Sequence, residues 1–124
     1  MSFDLYESVD DGVTWSKKNT FDGYYPVYLV SFTGRHFIFY LLEDYTNPEF
    51  FLLCYLYSDD LGKSWTSGSS AIDVFLIDQQ IGVDQTYTGK IMVSYQVYNG
   101  TNNTIDTRIA ISVDDGNSWV LNTL

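Results

Sequence analysis

Three short stretches of the sequence bring together residue types that either bind calcium or close a tight turn. In each, a serine is followed two positions later by an aspartate, then by a glycine, and finally by a hydroxyl residue and a tryptophan. These octapeptides occupy residues 8–15, 58–65 and 112–119 and fit the pattern S-x-D-x-G-x-[ST]-W. Their recurrence at intervals of 50 and 54 residues indicates an internal structural repeat. The repeated positions are Ser8, Asp10, Gly12, Trp15, Ser58, Asp60, Gly62, Trp65, Ser112, Asp114, Gly116 and Trp119.

A calcium loop is one interpretation of these octapeptides, because each contains acidic residues followed by glycine. An EF-hand loop needs oxygen ligands at alternating positions and a bidentate glutamate at its twelfth position, and none of the three supplies that glutamate. A turn explains the same residues without a metal. The aspartate accepts hydrogen bonds from loop amides, the serine closes the loop, the glycine supplies a positive φ, and the tryptophan returns a large ring to the sheet. We therefore predict structural hairpin loops with no metal and no cofactor.

The octapeptide resembles the Asp box, also called the BNR repeat, found in sialidases and many other β-propeller proteins. The three copies and the strand-rich sequence between them extend this resemblance over nearly the whole chain. The resemblance implies propeller blades of four antiparallel strands, in which the box joins the third strand to the fourth. It also implies that the box lies at the periphery and acts as a structural staple rather than as a catalytic site.

The sequence around the boxes predicts an all-β fold. No stretch has sustained helical periodicity, and residues 37–42 and 51–56 are apolar at consecutive positions, which is typical of short strands buried on both faces. The predicted strands are residues 3–8, 24–32, 35–43, 50–58, 73–78, 90–99, 104–112 and 119–124, with further strands leaving the first and second boxes at Trp15 and Trp65.

Grouped into four-stranded blades, these strands make about two and a half antiparallel Asp-box β-propeller blades in a single domain, residues 1–124. The predicted units are a partial blade at 1–20, a blade at 21–68 and a blade at 69–124. Closed propellers have at least about four blades, and an open stack leaves sheet faces and strand edges exposed. We therefore expect the ring to be completed by oligomerisation or by a longer parent chain, with a small β-sandwich as the remaining alternative.

The composition limits the expected partners. The chain has 16 acidic and 6 basic residues, and its net charge of -10 repels nucleic-acid phosphates and anionic lipid headgroups, so we expect neither nucleic acid nor a membrane as a partner. The sequence as given has no signal peptide and no apolar stretch of the ~18 residues that span a bilayer, and its compartment stays open. The single cysteine, Cys54, lies in an apolar run and is expected to be a buried, unreactive thiol.

A sialidase-type active site needs, by the same resemblance, three arginines around a carboxylate, a tyrosine nucleophile with a glutamate partner, and an acidic proton donor. The chain has two arginines, Arg35 and Arg108, and we expect each to be a surface charge or to pair with a nearby acid. His36, the one histidine, lies beside an apolar strand without a residue spaced for a proton relay, and we expect it to be half-buried and satisfied. No catalytic residue is therefore assigned, although an oligomer could collect arginines from several copies.

The resemblance places the ligand-binding loops at the end of the blades opposite the boxes. Sugars are held by aromatic rings, carboxylates and amides, and such groups occur at the positions predicted for that end: Asp22, Tyr24, Tyr25, Asp44, Tyr45, Asn47, Asp73 and Asn99. We therefore predict a noncatalytic, homo-oligomeric binding and assembly module with a glycan as its candidate ligand. The alternatives are a sialidase-type glycoside hydrolase, truncated or completed by assembly, and a structural unit of an adhesin, receptor or viral particle.

Overall fold

The chain is built from antiparallel strands joined by turns. The computed structural model describes residues 1–47, 50–68, 70–75 and 81–124. Over these residues there is no helix, and so none long and apolar enough to cross a bilayer. The strands of the described part are β1 (Ser2–Glu7), β2 (Ser16–Asp22), β3 (Tyr24–Val30), β4 (His36–Glu43), β5 (Phe51–Ser58), β6 (Thr66–Ser67), β7 (Asp73–Phe75), β8 (Gly82–Gln85), β9 (Ile91–Asn99), β10 (Thr104–Ser112) and β11 (Val120–Thr123). The predicted all-β fold is therefore confirmed.

The first sheet is a hairpin of β1 and β2 whose connection is the first box. The two strands pair from Ser2 opposite Asp22 towards the box, with one irregularity in register in the middle of β1. Phe3 and Leu5 are half-buried on one face, whereas Asp4 is exposed on the other. This alternation follows from the two-residue period of a strand, which sends successive side chains to opposite faces.

The second sheet contains β3, β4, β5 and β6 in that order, joined by consecutive antiparallel turns. Its central strands β4 and β5 are paired along their whole length, with His36 opposite Ser58 next to the second box. Phe37 and Ile38 point to opposite faces of β4, and their exposed fractions are 0% and 2%. The second sheet is therefore buried on both faces, as the run of consecutive apolar residues predicts.

The outer edge of the second sheet is longer than the sequence analysis predicts. After β6 the chain continues along β5, and the backbone N–H groups of Gly68 and Ile72 donate to β5 carbonyls at 3.0 and 2.7 Å. β7 then pairs with the beginning of β5. The prediction that residues 73–78 start the next unit is therefore wrong over 73–75, because these residues satisfy the remaining edge of β5. Residues 76–78 lie outside the described part of the chain.

The third sheet contains β8, β9, β10 and β11 in that order. Its first strand, β8, lies between the predicted strands 73–78 and 90–99, where no strand was predicted. Along β9, Ile91, Val93 and Tyr95 are buried towards the second sheet, and the intervening Ser94 and Gln96 are exposed on the opposite face. This sheet is therefore apolar on one face and mixed on the other.

The three sheets stack face to face with the second in the middle. Phe39 and Tyr55 of the second sheet pack against buried β9 residues of the third. On the opposite face, Ile38 and Leu56 pack against Phe3 of the first sheet. Within the described residues, no further sheet covers the outer face of the first or the third sheet. Both ends of the stack therefore expose a sheet face.

The stack agrees only in part with the predicted arrangement of blades. The first sheet ends at Asp22 and the second begins at Tyr24, close to the boundary predicted after residue 20. The boundary predicted after residue 68 falls inside the second sheet, which extends to Phe75. The described residues form open sheets that do not close into a ring.

Phe39 provides a test of the buried interface between the second and third sheets. Replacement of Phe39 by alanine removes a fully buried ring that stacks on Phe37 at 5.5 Å, and should lower the free energy of unfolding by about 3–5 kcal/mol. Phe32→Ala is the matched control, since Phe32 is 67% exposed and its loss should cost under about 0.5 kcal/mol. Urea unfolding of both variants gives the comparison. Equal losses would contradict the stacked arrangement, and Phe39→Leu gives a milder measurement if Phe39→Ala does not fold.

Candidate functional site

The three boxes form the same hydrogen-bonded loop. Oδ1 of the box aspartate accepts the backbone N–H of the hydroxyl residue four positions later, at 2.8 Å for Asp10 and 2.9 Å for Asp60 and Asp114. Oδ2 accepts that residue's hydroxyl at 2.5 Å in every box. The leading serine donates to Oδ1 at 2.7–2.9 Å and accepts the glycine N–H at 2.8 Å. Both carboxylate oxygens therefore bind donors of their own loop.

Each box turns through two consecutive residues with positive φ, where the sequence analysis expected one. The glycine is the second of the pair, and the residue before it also adopts a left-handed conformation. Two such residues in succession are typical of a tight hairpin turn whose twist matches that of the strands. The pairs and their φ angles are Asp11 (59°) with Gly12 (88°), Leu61 (62°) with Gly62 (83°), and Asp115 (58°) with Gly116 (88°).

The tryptophans of the second and third boxes pack against the sheet that precedes them in the chain. The Trp119 ring meets Phe39 and Tyr55 of the second sheet edge-on, at centroid distances of 5.8 and 5.9 Å. The Trp65 ring lies 6.3 Å from Phe21 of the first sheet. The box therefore fixes the turn within one sheet, and its tryptophan joins that sheet to its neighbour.

Trp15 departs from this arrangement. We expected its ring to be buried, but it is 62% exposed, because the described residues contain no sheet before the first one. Its indole N–H still donates to the Gly12 carbonyl at 3.1 Å, and Trp65 makes the equivalent bond at 3.2 Å. Trp15 is thus held in its own loop as Trp65 is, but it lacks a neighbouring sheet to pack on.

The third box is the most tightly enclosed of the three. The Tyr55 hydroxyl of the second sheet donates to the Gly116 carbonyl at 2.7 Å, and the buried indole N–H of Trp119 has no hydrogen-bond partner among the described residues. A Cβ added at Gly116 would lie 2.7 Å from the Phe37 ring, which is closer than carbon atoms can approach. The second sheet therefore takes over the carbonyl that binds the tryptophan in the other two boxes.

The loop hydrogen bonds also stabilise the charged form of the box aspartates. Donation from the Thr14 hydroxyl and backbone lowers the pKa of Asp10 from 3.8 to about 2, with a smaller contribution from Ser8. The pKa values of Asp60 and Asp114 are lowered in the same way, mainly by the serine hydroxyl four positions after each. Among the described residues there is no group of three or more histidine, cysteine, aspartate or glutamate side chains arranged to hold a metal ion.

Arg35 joins the second box to the third. Its guanidinium forms a bidentate pair with Asp59 at 2.8 and 3.1 Å, and its Nη1 donates to the backbone carbonyl of Asp115 at 3.1 Å. The Asp115 carboxylate also accepts the Thr33 hydroxyl at 2.7 Å. The guanidinium lies 4.5 Å from the centre of the Tyr57 ring. The expected pairing of Arg35 with a nearby acid is therefore present, and it ties two neighbouring sheets together at the box end.

Arg35 belongs to a repeated turn that the sequence analysis did not recognise. Residues 31–35 read S-F-T-G-R, and residues 86–90 read T-Y-T-G-K, each just before the second strand of its sheet. The two turns share their backbone hydrogen bonds, at 2.8 and 2.9 Å in both copies, and a glycine with φ of 90° or 94°. Lys90 therefore occupies in the third sheet the position of Arg35 in the second. The T-G-[RK] triplet is the sequence signal for this turn.

At the opposite end of the sheets, several predicted ligand residues line one pocket. The pocket has a volume of about 110 Å³, and its walls include Asp22, Tyr24, Glu43 and Tyr45. The Tyr24 hydroxyl donates to Glu43 Oε1 at 2.5 Å, and Tyr45 is 82% exposed. Tyr25 is not part of the lining, and its ring lies 6.3 Å from that of Tyr24. Glu43 is a member of the pocket that sequence reasoning missed, since it ends a strand otherwise interpreted as apolar.

Four other predicted ligand residues do not join this pocket. The Asp44 carboxylate accepts the Thr46 N–H at 3.0 Å, and Asn47 belongs to the same turn. Asn99 caps the loop between β9 and β10, where its side-chain oxygen accepts two backbone N–H groups. Asp73 lies between the second and third sheets. These residues therefore hold loops and sheets in place.

Arg108 and Asp73 form the second tie between the sheets. Arg108 Nη1 donates to Asp73 Oδ2 at 2.8 Å, and the Tyr95 hydroxyl donates to the same oxygen at 2.6 Å. Arg108 is therefore paired with an acid, as expected. Because Arg35 lies at the box end and Arg108 in the interface, the two guanidinium groups do not converge on one pocket.

His36 and Cys54 have neighbours that account for them. His36 is half-buried, with its Nδ1 2.5 Å from the Tyr28 hydroxyl. The Cys54 thiol is partly buried, and this burial raises its pKa to about 11, so thiolate is scarce at neutral pH. Neither residue lies next to a group that would make it a nucleophile or a general base in the described part of the chain.

Comparison with known proteins bears on the fold. No family model and no curated protein matches the chain. A crystal structure of a protein of unknown function from Dyadobacter fermentans DSM 18053 is similar, with a TM-score of 0.66 and 18% sequence identity. The match covers 97% of this chain and 37% of that one, so this chain spans well under half the length of that protein. At such low identity the likeness shows a shared fold and carries no activity.

The lowered pKa values predict that acid weakens the boxes. A carboxylate with a depressed folded-state pKa stabilises the fold above its unfolded value near 3.8, and this contribution is lost as the pH falls towards about 2. Asp114→Asn should therefore lower the melting temperature at neutral pH, and its difference from the wild type should shrink as the pH falls below the unfolded value near 3.8. Asp22→Asn is the control outside the boxes. Parallel melting curves for wild type and Asp114→Asn across this range would contradict the role of the carboxylate.

Proposed function

We propose that the chain is a noncatalytic binding and assembly module of the Asp-box β-propeller type, with a carbohydrate site at the end opposite the boxes. The observation that carries the proposal is the division of polar groups between the two ends. At the box end, carboxylates bind the turns and the neighbouring box. At the other end, Asp22, Glu43 and the exposed ring of Tyr45 surround a pocket.

The propeller assignment is supported by the way the sheets repeat. The second and third sheets each contact the preceding one through the tryptophan of their own box, and all three boxes share one set of hydrogen bonds. A stack that repeats by one operation exposes at each end a face suited to another sheet of the same kind. Further sheets, supplied by other copies or by a longer chain, would bury these faces and complete the ring.

The carbohydrate assignment is supported by the chemistry of the pocket. A sugar offers an apolar ring face and several hydroxyl groups, and it is bound well by an aromatic ring beside hydrogen-bond acceptors. Tyr45 supplies an exposed ring, whereas Asp22 and Glu43 supply carboxylate oxygens. Because these groups are acidic, the site favours a neutral sugar over an anionic one.

This charge also argues against a sialidase-type enzyme. A sialic acid carries a carboxylate, which needs cationic partners, and the pocket is lined by two acids and no arginine. Arg35 and Arg108 are engaged in ion pairs elsewhere in the molecule. Residues from other copies would have to supply the whole cationic site.

Glycan-array binding tests the carbohydrate site. Tyr45→Ala removes the exposed ring and Glu43→Gln removes a negative charge that accepts hydrogen bonds, so each should weaken binding of a neutral glycan about tenfold, corresponding to ~1.4 kcal/mol. Tyr87→Ala is the matched control, since Tyr87 is 93% exposed in a turn at the box end. Folded wild-type protein that binds no glycan would contradict the assignment and favour a purely structural unit. Release of a reporter from a sialoside would instead support the enzyme alternative.

A further inference from the structure

The contact between the T-G-R turn of the second sheet and the third box shows which polar groups join one sheet to the next. The T-G-R turn of the second sheet presents the Thr33 hydroxyl and the Arg35 guanidinium to Asp115 in the third box, with Thr33 Oγ1 2.7 Å from Asp115 Oδ2. Arg35 Nη1 adds a bond to the Asp115 carbonyl at 3.1 Å. The turn therefore supplies the donors, and the fourth residue of the following box supplies the acceptors.

The third sheet carries a second set of these donors. Thr88 and Lys90 have the same places in the T-G-K turn as Thr33 and Arg35 in the T-G-R turn, and the two turns share their backbone hydrogen bonds. Lys90 is exposed, and over the described ranges it forms no ion pair. In the third box the residue equivalent to Asp59 is Val113, so Lys90 has no acid at the position that binds Arg35 in the second box.

The first box carries the matching acceptor. Its fourth residue is Asp11, which is exposed and has the same left-handed conformation as Asp115, with φ of 59° against 58°. The second box has Leu61 at this position, and the first sheet, which precedes it, is a hairpin without such a turn. The third box, which follows a sheet with a donor turn, thus has an acid at its fourth position. The second box, which follows a sheet without such a turn, has leucine there. Asp11 and Lys90 are the two remaining halves of this contact, at opposite ends of the stack.

The exposed faces beside these groups also correspond. The Trp15 ring is 62% exposed on the outer face of the first sheet, and its counterpart Trp119 packs on Tyr55 at 5.9 Å. The box serines align the second and third sheets, because Ser58 pairs with His36 and Ser112 pairs with Ile91. Tyr55 and Ile109 each lie three residues before the serine of their sheet, so Ile109 is the equivalent of Tyr55. Ile109 is half-buried on a face that also exposes Ile105.

From these correspondences we propose that two copies of the chain associate head to tail, with the third sheet of one against the first sheet of the next. Lys90 and Thr88 of the first copy bind Asp11 of the second, and Trp15 of the second copy packs on Ile109 of the first. This proposal rests on the repeating sheets of the proposed function and names the partner as a second copy. The contact joins two different surfaces, so its repetition closes a ring when the rotation allows and otherwise extends the stack.

The two kinds of contact have different effects on association. Burial of the Trp15 ring and of the apolar side chains of the third sheet supplies most of the attraction. The ion pair at the rim sets register and orientation, and like charges placed there oppose association strongly. Added salt should weaken the charged part of the contact and leave the apolar part in place.

Charge exchange combined with sedimentation equilibrium tests the interface. Lys90→Glu and Asp11→Lys should each weaken self-association about tenfold or more, because like charges then meet at the interface. The combined variant Lys90→Glu, Asp11→Lys should recover the wild-type mass, since the pair is restored with its signs exchanged. Leu61 shows that the turn accepts a long side chain at the Asp11 position with φ of 62°. Lys63→Glu, at an exposed residue of the second box, is the control for Lys90→Glu, since it changes the net charge by the same amount.

The outcomes separate this interface from the proposed function. Loss of association in both single variants and recovery in the double variant support the head-to-tail contact. A wild type that is monomeric at every concentration, or an assembly indifferent to both charge reversals, overturns it and leaves the face to a further sheet of a longer chain. Glycan binding measured on the same samples decides the carbohydrate site independently, because a monomer that binds glycan refutes the interface alone. An assembled protein that binds none refutes the carbohydrate site alone.

Discussion

Burial of both faces of the second sheet is the requirement on which the rest of the structure depends. Phe37 and Phe39 point to one side of β4 and Ile38 and Tyr40 to the other, so a sheet has to lie against each face. The first and third sheets meet this requirement with Phe3 and with the buried face of β9, respectively. The order of the stack therefore follows from one strand that is apolar at consecutive positions.

The boxes make this stacking specific. Each closes its turn with bonds among its own residues, and Trp65 and Trp119 then project onto the preceding sheet. Arg35 and Arg108 add ion pairs at two levels of the interface between the second and third sheets. Both guanidinium groups are thus bound to acids of the fold. The loops at the end opposite the boxes form a pocket whose lining includes the acids Asp22 and Glu43.

Much of the fold was accessible from the sequence, because the boxes mark where strands pair and apolar runs mark which strands are buried. The strands flanking the boxes were predicted to within a few residues. The edge strand β7 was misassigned because pairing with β5 depends on which backbone groups remain open, and local side-chain pattern does not report this. The exposure of Trp15 depends on whether a sheet precedes it. Glu43 and the repeated T-G-[RK] turn were missed, although the turn has a sequence signal.

The enclosure of the third box has a consequence for how freely the three repeats can vary. Gly12 has open space around it apart from the Trp15 ring at 3.7 Å, so its conformation is what restricts the choice of residue. The choice of residue at position 116 is restricted both by the positive φ of Gly116 and by the Phe37 ring, which occupies the space that a side chain would need. Asparagine tolerates a left-handed backbone, so it could replace Gly12. At Gly116 its side chain would collide with the Phe37 ring. The glycine of the third box should therefore tolerate the fewest replacements of the three.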